Sequence, residues 1–200
     1  CAVDSAFSSW SVQERYFVQH LCIFVFFVLG GGVLSHLTKK YVGTREAWVC
    51  VLFWILSPRL FADAMYNSKD IPFMTLYILC SWSALRFYFL PNKKNMTIHA
   101  LLCALLISTR IMGILMWGYT LLFFLYAKRA YISRAFLFIV LSFLFLWAMW
   151  PILWVQGPLG LWEAITHMSH FPWKGEVLYQ GVFLPAEELP WHYPYVWMAI

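Results

Sequence analysis

The chain has 200 residues, of which 62% are hydrophobic, 20% aromatic and only 12% charged. Its formal net charge is +5 and its mean hydropathy is +0.70. A soluble domain cannot bury this much apolar surface, so lipid is expected to be its main solvent. No block rich in lysine and arginine is interleaved with aromatic residues, which argues against nucleic acid as a partner.

Long apolar runs predict an all-α fold, a polytopic bundle of about six transmembrane helices with the start of a seventh. A spanning helix needs roughly 20 residues, so the shorter runs must borrow flanking residues or tilt. In chain order the predicted spans are residues 20–37, 44–56, 71–90, the two parts of 97–127 on either side of Arg110, 135–155, and the beginning of a seventh at 195–200.

Charged residues between these runs alternate in sign along the chain, and the alternation predicts orientation. Loops rich in lysine and arginine face the cytoplasm by the positive-inside rule, so the mixed and acidic loops face outward. The basic set is Lys39, Lys40, Arg45, Arg86, Lys93, Lys94, Lys128, Arg129 and Arg134. The outward set is Asp63, Asp70, Glu163, Glu176, Glu187 and Glu188, with Arg59, Lys69, Arg110 and Lys174.

The chain begins at Cys1 without methionine and ends at Ile200 within an apolar run, so we expect a fragment of one transmembrane domain. The first span and the C-terminal part of that domain are expected to lie outside it. Within it we expect an amphipathic segment at the outer interface (1–19), an outer polar loop (57–71) and a large outer loop (156–193).

The polar window at residues 59–70 is the main candidate site, because charge near a bilayer survives where it has a partner or a role. One interpretation is structural: Arg59 pairs with Asp63 one helical turn away, and Asp70 caps a helix with Pro72 in its first turn. The other is a pocket in which cations bind a phosphate and a carboxylate moves a proton. Its residues are Arg59, Asp63, Asn67, Lys69 and Asp70, joined by Arg110 from a later segment.

The loop at 156–193 contains two weaker candidates. Glu163, His167 and His170 have a spacing that places them on one side of a helix, where a divalent metal site is one interpretation and an exposed helix face the other. Aromatic residues in the same loop fit either stacking on a sugar ring or an interfacial belt. The substrate-loop candidates are Trp173, Lys174, Trp191, His192 and Tyr193, together with Asn67 of the polar window.

Short motifs spread over nearly the whole chain carry a family resemblance. They are Ser57-Pro58-Arg59 with Phe61-Ala62-Asp63, then Tyr66-Asn67-Ser68-Lys69-Asp70-Ile71-Pro72-Phe73, and also Glu14-Arg15-Tyr16, Gln19-His20-Leu21, Ser108-Thr109-Arg110 and Leu189-Pro190-Trp191-His192-Tyr193-Pro194. Together they resemble the C-type (GT-C) membrane glycosyltransferases, in particular bacterial relatives of the protein O-mannosyltransferase and aminoarabinose transferase group. The run from Asn67 to Phe73 is the most specific of these motifs.

The resemblance implies an enzyme of the bacterial inner membrane that takes a sugar from a polyprenyl-phosphate donor at the extracytoplasmic face. The group carries its main catalytic carboxylate in the first outward loop, which we expect upstream of Cys1. In this chain Asp70 and Asp63 are the catalytic candidates, and inversion by direct displacement is the expected mechanism. The acceptor is a glycan, a lipid or a protein. The cations expected at the donor phosphate are Arg59, Lys69 and Arg110.

Two other functions remain open from the sequence. A lipid-linked glycan transporter or flippase would place ionisable residues mid-span and contain repeats with broken helices, whereas here charges cluster at span ends. A polyprenyl-dependent glycan ligase or polymerase would share the outer-face arginines and the large loop. The clustering of charge at span ends favours the transferase.

Overall fold

The structure is a computed structural model that describes residues 11–127, 131–169 and 175–199. These residues are almost entirely helical, with one small β-hairpin, which confirms the predicted all-α class. They divide into two compact units, Cys1–Gly157 and Pro158–Ile200, and each is described by itself.

Helices account for nearly all of the described part of the first unit. In chain order they are α1 (Val12–Tyr41), α2 (Thr44–Leu56), α3 (Pro58–Tyr66), α4 (Asp70–Phe89), α5 (Lys93–Thr109), a 3₁₀ turn (Ile111–Ile114), α6 (Leu115–Ala127), α7 (Ile132–Met149) and α8 (Pro151–Gln156). The second unit contains α9 (Leu159–Ser169), an antiparallel hairpin of β1 (Glu176–Tyr179) and β2 (Val182–Pro185), a 3₁₀ turn (Ala186–Glu188) and α10 (Tyr193–Ala199).

Two of the described helices, α1 and α7, are long and apolar enough to cross a membrane. A third span results if α2 and α3, which meet at a bend of 62°, are counted as one broken span. Length and composition therefore do not support the predicted count of about six spans and the start of a seventh. The physical reason is that α5 and α6 have 17 and 13 residues, fewer than the roughly 20 that a span needs, while α4 carries charge near both ends.

Helix α1 begins earlier than the first predicted span. Ser11 and Glu14 form a capping box, in which the Ser11 amide donates to the Glu14 carboxylate over 2.7 Å and the Glu14 amide donates to the Ser11 hydroxyl over 3.3 Å. Residues 12–19 are therefore the first turns of a continuous helix, and their place at the outer interface stays a prediction. Residues 1–10 of that predicted segment lie outside the described residues.

The predicted outer loop at 57–71 is mostly helix. Pro58 cannot continue α2, and it instead occupies the first turn of α3, where its missing N–H costs nothing. The Ser57 hydroxyl accepts the Leu60 amide over 3.5 Å and so caps α3. Apart from Ser57 itself, only the short turn between Tyr66 and Asp70 is non-helical, and this turn positions the polar window.

The long apolar stretch 97–127 folds back on itself after Arg110, as the sequence predicted. Arg110 has extended backbone angles (φ −149°, ψ 133°), and α5 ends immediately before it. His99 and Thr120, almost equally far from Arg110 along the chain, are hydrogen-bonded, so α5 and α6 run antiparallel. The turn is tight: a Cβ on Gly113 would lie 2.9 Å from the Ile107 amide nitrogen, which explains glycine at this position.

Contacts between helix ends show that the helices of the first unit alternate in direction. The rings of Tyr41 at the end of α1 and Phe89 at the end of α4 stack with centroids 6.2 Å apart. At the same end the Arg134 guanidinium, near the start of α7, donates to the Pro91 carbonyl. This end carries the basic residues that the sequence predicted to lie together, apart from Lys128 and Arg129, which are outside the described residues.

At the opposite end a cluster of buried apolar residues joins α1, α2, α3 and α4. Its members are Ile23, Phe27, Trp54, Ala64 and Ile71, all less than a tenth exposed. Ala64 and Ile71 lie on either side of the turn that contains Asn67 and Lys69, so this cluster fixes the backbone from which the polar window projects.

A buried histidine links four helices in the middle of the unit. The His99 ring on α5 is fully buried, with Nδ1 2.8 Å from the Ser83 hydroxyl of α4 and Nε2 2.9 Å from the Thr120 hydroxyl of α6. Its face stacks on Phe138 of α7, with centroids 4.7 Å apart. A neutral imidazole has one N–H, so one hydroxyl accepts from the ring. The hydroxyl facing the other nitrogen has a single hydrogen for two acceptors, the ring nitrogen and a carbonyl of its own helix.

Replacement of His99 is therefore expected to destabilise the bundle. In His99→Leu the Ser83 and Thr120 hydroxyls keep the carbonyl acceptors of their own helices but lose their hydrogen bonds to the ring. At roughly 0.5–1.5 kcal/mol for each hydrogen bond, we expect a loss of about 1–3 kcal/mol in the free energy of unfolding in detergent. Thr97→Ala is the matched control, because its exposed hydroxyl bonds only the Lys93 carbonyl of its own helix. Equal unfolding midpoints for the two variants would contradict the role assigned to His99.

Candidate functional site

The candidate site is centred on an ion pair between Asp70 and Arg110. The Arg110 guanidinium contacts the Asp70 carboxylate, which joins the start of α4 to the break after α5. The Asp70 side chain is 51% exposed and the Arg110 side chain 43%, so a ligand from outside can reach both. Both residues are predicted for this site from the sequence, whereas their direct contact is seen only in the structure.

Asn67 holds the turn on which Asp70 lies. Its side-chain oxygen accepts the amides of Lys69 and Asp70 over 3.2 and 2.9 Å, and its side-chain nitrogen donates to the Asp70 carboxylate over 2.8 Å. The prediction that Asp70 itself caps α4 was therefore wrong in detail. Asp70 is the first helical residue, and Asn67 supplies the capping oxygen.

The Asp70 carboxylate is oriented by partners on two sides. One oxygen contacts Arg110 and the other accepts from Asn67. Its place in the first turn of α4 adds the favourable interaction of a negative charge with the helix N-terminus. Asp70 is therefore a fixed, half-exposed anion with a cation alongside, which is a suitable geometry for accepting a proton from a bound hydroxyl.

Helix α3 brings two further charged residues to the same end of the unit. Arg59 is exposed in its first turn and Asp63 is half-buried one turn later, with its carbonyl accepting the Asn67 amide over 2.8 Å. The predicted ion pair between Arg59 and Asp63 stays a prediction. With Lys69, which is exposed beside Asp70, the polar window and Arg110 together contribute three cations and two carboxylates, an excess that suits a phosphate.

The predicted metal ligands lie in the second unit, on and just after α9. Glu163 and His167 are both exposed, one helical turn apart, while His170 is outside the described residues. Within the described ranges no group of three or more His, Cys, Asp or Glu side chains is placed to hold a metal ion. A divalent metal at this position stays a prediction that depends on His170.

Three of the predicted substrate-loop residues form an aromatic cluster with the hairpin. Tyr179 of β1 packs edge-to-face against Tyr193 with centroids 5.4 Å apart, and its ring lies 6.0 Å from His192. Trp191 packs edge-on against His192 and is 82% exposed. Trp173 and Lys174 lie outside the described residues.

Tyr179 was missed in the sequence analysis, although a signal for it exists. Gln180 and Gly181 both have positive φ angles, 51° and 84°, which matches a two-residue hairpin turn. A glycine after a polar residue between two apolar segments is the usual sequence signal for such a turn. Recognising it would have placed Tyr179 at the end of β1, beside the turn.

Comparison with known proteins found no match. No protein family model fits the chain, and neither the curated proteins nor the solved structures contain a significant relative. The resemblance to C-type glycosyltransferases therefore rests on the short motifs alone, and function must be argued from the arrangement of charges.

The Asp70–Arg110 pair is expected to contribute little to stability. Because both side chains are about half exposed, Arg110→Gln should change the free energy of unfolding by less than about 1 kcal/mol. The comparison is His99→Leu, in which buried hydroxyls lose a partner, measured by the same unfolding assay in detergent. If Arg110→Gln proved as destabilising as His99→Leu, the pair would be a structural element and not a ligand site.

Proposed function

We propose that this chain belongs to a membrane glycosyltransferase that transfers a sugar from a polyprenyl-phosphate donor to an acceptor at the extracytoplasmic face of a bacterial inner membrane. The observation that supports this most is the Asp70–Arg110 pair, a carboxylate and a guanidinium held together at the end of the helices opposite the basic end. The acceptor class (glycan, lipid or protein) is left to the experiment.

The proposal includes six membrane crossings. They are α1, the broken pair of α2 and α3, α4, α5, α6 and α7. The shorter helices are supported as spans by their antiparallel packing around His99, which makes each one part of a single bundle with α7. The positive-inside rule then puts the end with Lys93 and Lys94 in the cytoplasm and the end with Asp70 outside.

The cations at the outer end would bind the donor phosphate. Arg110 presents a planar guanidinium that can make two parallel hydrogen bonds to phosphate oxygens, and Lys69 adds a mobile point charge beside it. Arg59, from α3, is a third candidate. A phosphate that replaces Asp70 on Arg110 would also release one oxygen of the Asp70 carboxylate.

In the proposed reaction Asp70 acts as general base. The acceptor oxygen attacks the anomeric carbon and forms the new glycosidic bond, while Asp70 takes its proton. The bond from that carbon to the phosphate oxygen breaks, and the polyprenyl phosphate leaves with the electron pair, its charge stabilised by Arg110 and Lys69. Attack opposite the leaving group inverts the anomeric configuration. Asp63 is the second candidate base.

One observation favours a transporter as the second candidate. The 62° bend between α2 and α3 resembles the discontinuous helices from which many transporters build their binding sites. The transferase is preferred because Asp70 and Arg110 lie at helix ends and are exposed, whereas transporter sites lie near the bilayer midplane.

Transfer of radiolabelled sugar from polyprenyl-phosphate donors tests the proposal. In membranes containing the protein, Asp70→Asn should lower the turnover rate by at least about 100-fold, the usual contribution of a general base. Arg110→Gln should raise the KM for the donor by about tenfold or more, since a charge-assisted hydrogen bond is lost. Glu46→Gln and Lys94→Gln, both exposed at the basic end, are the matched controls and should be unaffected.

Three results would contradict the proposal. Normal transfer by Asp70→Asn would remove Asp70 from the reaction. Movement of labelled lipid between leaflets without consumption of the donor would establish the transporter instead. Polymerisation or ligation of lipid-linked glycan without use of a monosaccharide donor would indicate the ligase or polymerase.

A further inference from the structure

An apolar groove of about 440 Å³ runs along α1 where that helix faces α2 and α3. Of the residues that line it, only Ser35 and Trp54 carry a polar side-chain group, and the Trp54 N–H already donates to the Phe27 carbonyl. The groove lies within the first unit and does not include Asp70 or Arg110, so it is separate from the candidate active site.

The groove exists because α1 lacks side chains where it faces the bent helix pair. A Cβ on Gly32 would meet no atom within 4 Å, and one on Gly31 would lie 2.9 Å from the Trp54 indole. Trp54 is held in place by donating its ring N–H to the Phe27 carbonyl over 3.2 Å, so it forms a fixed wall. Phe61 of α3 packs edge-to-face on Phe27 and bounds the groove at the polar end.

The dimensions of the groove match one leaflet of a bilayer. Its lining on α1 runs from Phe24 to Ser35, which corresponds to about 17 Å at roughly 1.5 Å per residue. That is about half of the roughly 30 Å hydrocarbon core. A fatty acyl chain of a membrane phospholipid occupies this depth, whereas a polyprenyl chain is much longer.

Charge at the polar end fits the headgroup of such a lipid. Arg59 lies two residues before Phe61 in α3, and Lys69 is exposed in the turn that follows this helix. A phosphodiester located above Phe61 would therefore meet positive charge while its acyl chain fills the space beside Gly31 and Gly32. If the groove stayed empty, the apolar side chains that line it would lack dispersion contacts on the open side.

We propose that this groove is a binding site for one glycerophospholipid, which places an acyl chain along α1 between Trp54 and Phe61 and its phosphate near Arg59. The acyl groove goes beyond the proposed transferase activity, whereas its headgroup end shares Arg59 and Lys69 with the proposed donor-phosphate site. The bound lipid fills the gap that the bend between α2 and α3 leaves beside α1.

Photolabelling tests this site directly. The protein is reconstituted in vesicles of phosphatidylethanolamine and phosphatidylglycerol with a trace of phosphatidylglycerol that carries a diazirine in its acyl chain. After irradiation, peptides are quantified by mass spectrometry. We expect the peptide with residues 24–35 to carry about tenfold more label than the exposed face of α7 at residues 136–144, a ratio equivalent to about 1.4 kcal/mol of preference.

A filled groove provides the matched comparison. Gly32→Leu places a side chain in the groove without a backbone clash and should reduce the labelling of 24–35 to the level of α7. Gly118→Leu is the control, since a Cβ there also meets nothing within 4 Å and both changes favour the helix. Labelling unchanged by Gly32→Leu, or equal on the two helices, would overturn the site. Loss of the label to competing polyprenyl phosphate would also overturn it and assign the groove to the donor.

Discussion

The exclusion of charge from hydrocarbon is the constraint on which the rest of this structure depends. Charged side chains are costly at the centre of a bilayer, so a helix that enters it keeps them at its ends. Tyr41 and Phe89 meet at one end of the first unit, and Asp70 and Arg110 meet at the other. Residues far apart in sequence thereby converge, and this convergence creates a polar site from residues that are individually unremarkable.

The interior of the bundle follows the same constraint on a smaller scale. His99 is fully buried, and both of its ring nitrogens lie within hydrogen-bonding distance of hydroxyls from neighbouring helices. No buried side-chain nitrogen or oxygen among the described residues lacks a hydrogen-bond partner. Where no side chain fills the space, as beside Gly32, an apolar groove remains that lipid is suited to fill.

Much of the fold could be predicted from local sequence, because periodicity, proline and capping residues act over a few positions. The bounds of α2 and the break at Arg110 are examples. The early start of α1 was also readable, since Ser11 and Glu14 have capping-box spacing. The contact of Asp70 with Arg110 could not be predicted from the sequence. It joins segments forty positions apart through helix packing that no local pattern encodes. The number of spans could not be predicted from local sequence either. Short helices can be buried by neighbouring helices, and that packing is not visible in a run of apolar residues.

The most direct test of the account is the side of the membrane on which the Asp70–Arg110 end lies. One exposed cysteine at a time, at Ser68 or at Lys94, would be introduced into protein in which Cys1, Cys22 and Cys50 are replaced by serine. Cys80 and Cys103 are buried and are left in place. A membrane-impermeant maleimide is then applied to right-side-out vesicles before and after permeabilisation. We predict that Ser68→Cys reacts at once and Lys94→Cys only after permeabilisation. Equal reactivity of the two cysteines, or the reverse order, would contradict a polar site at the outer face.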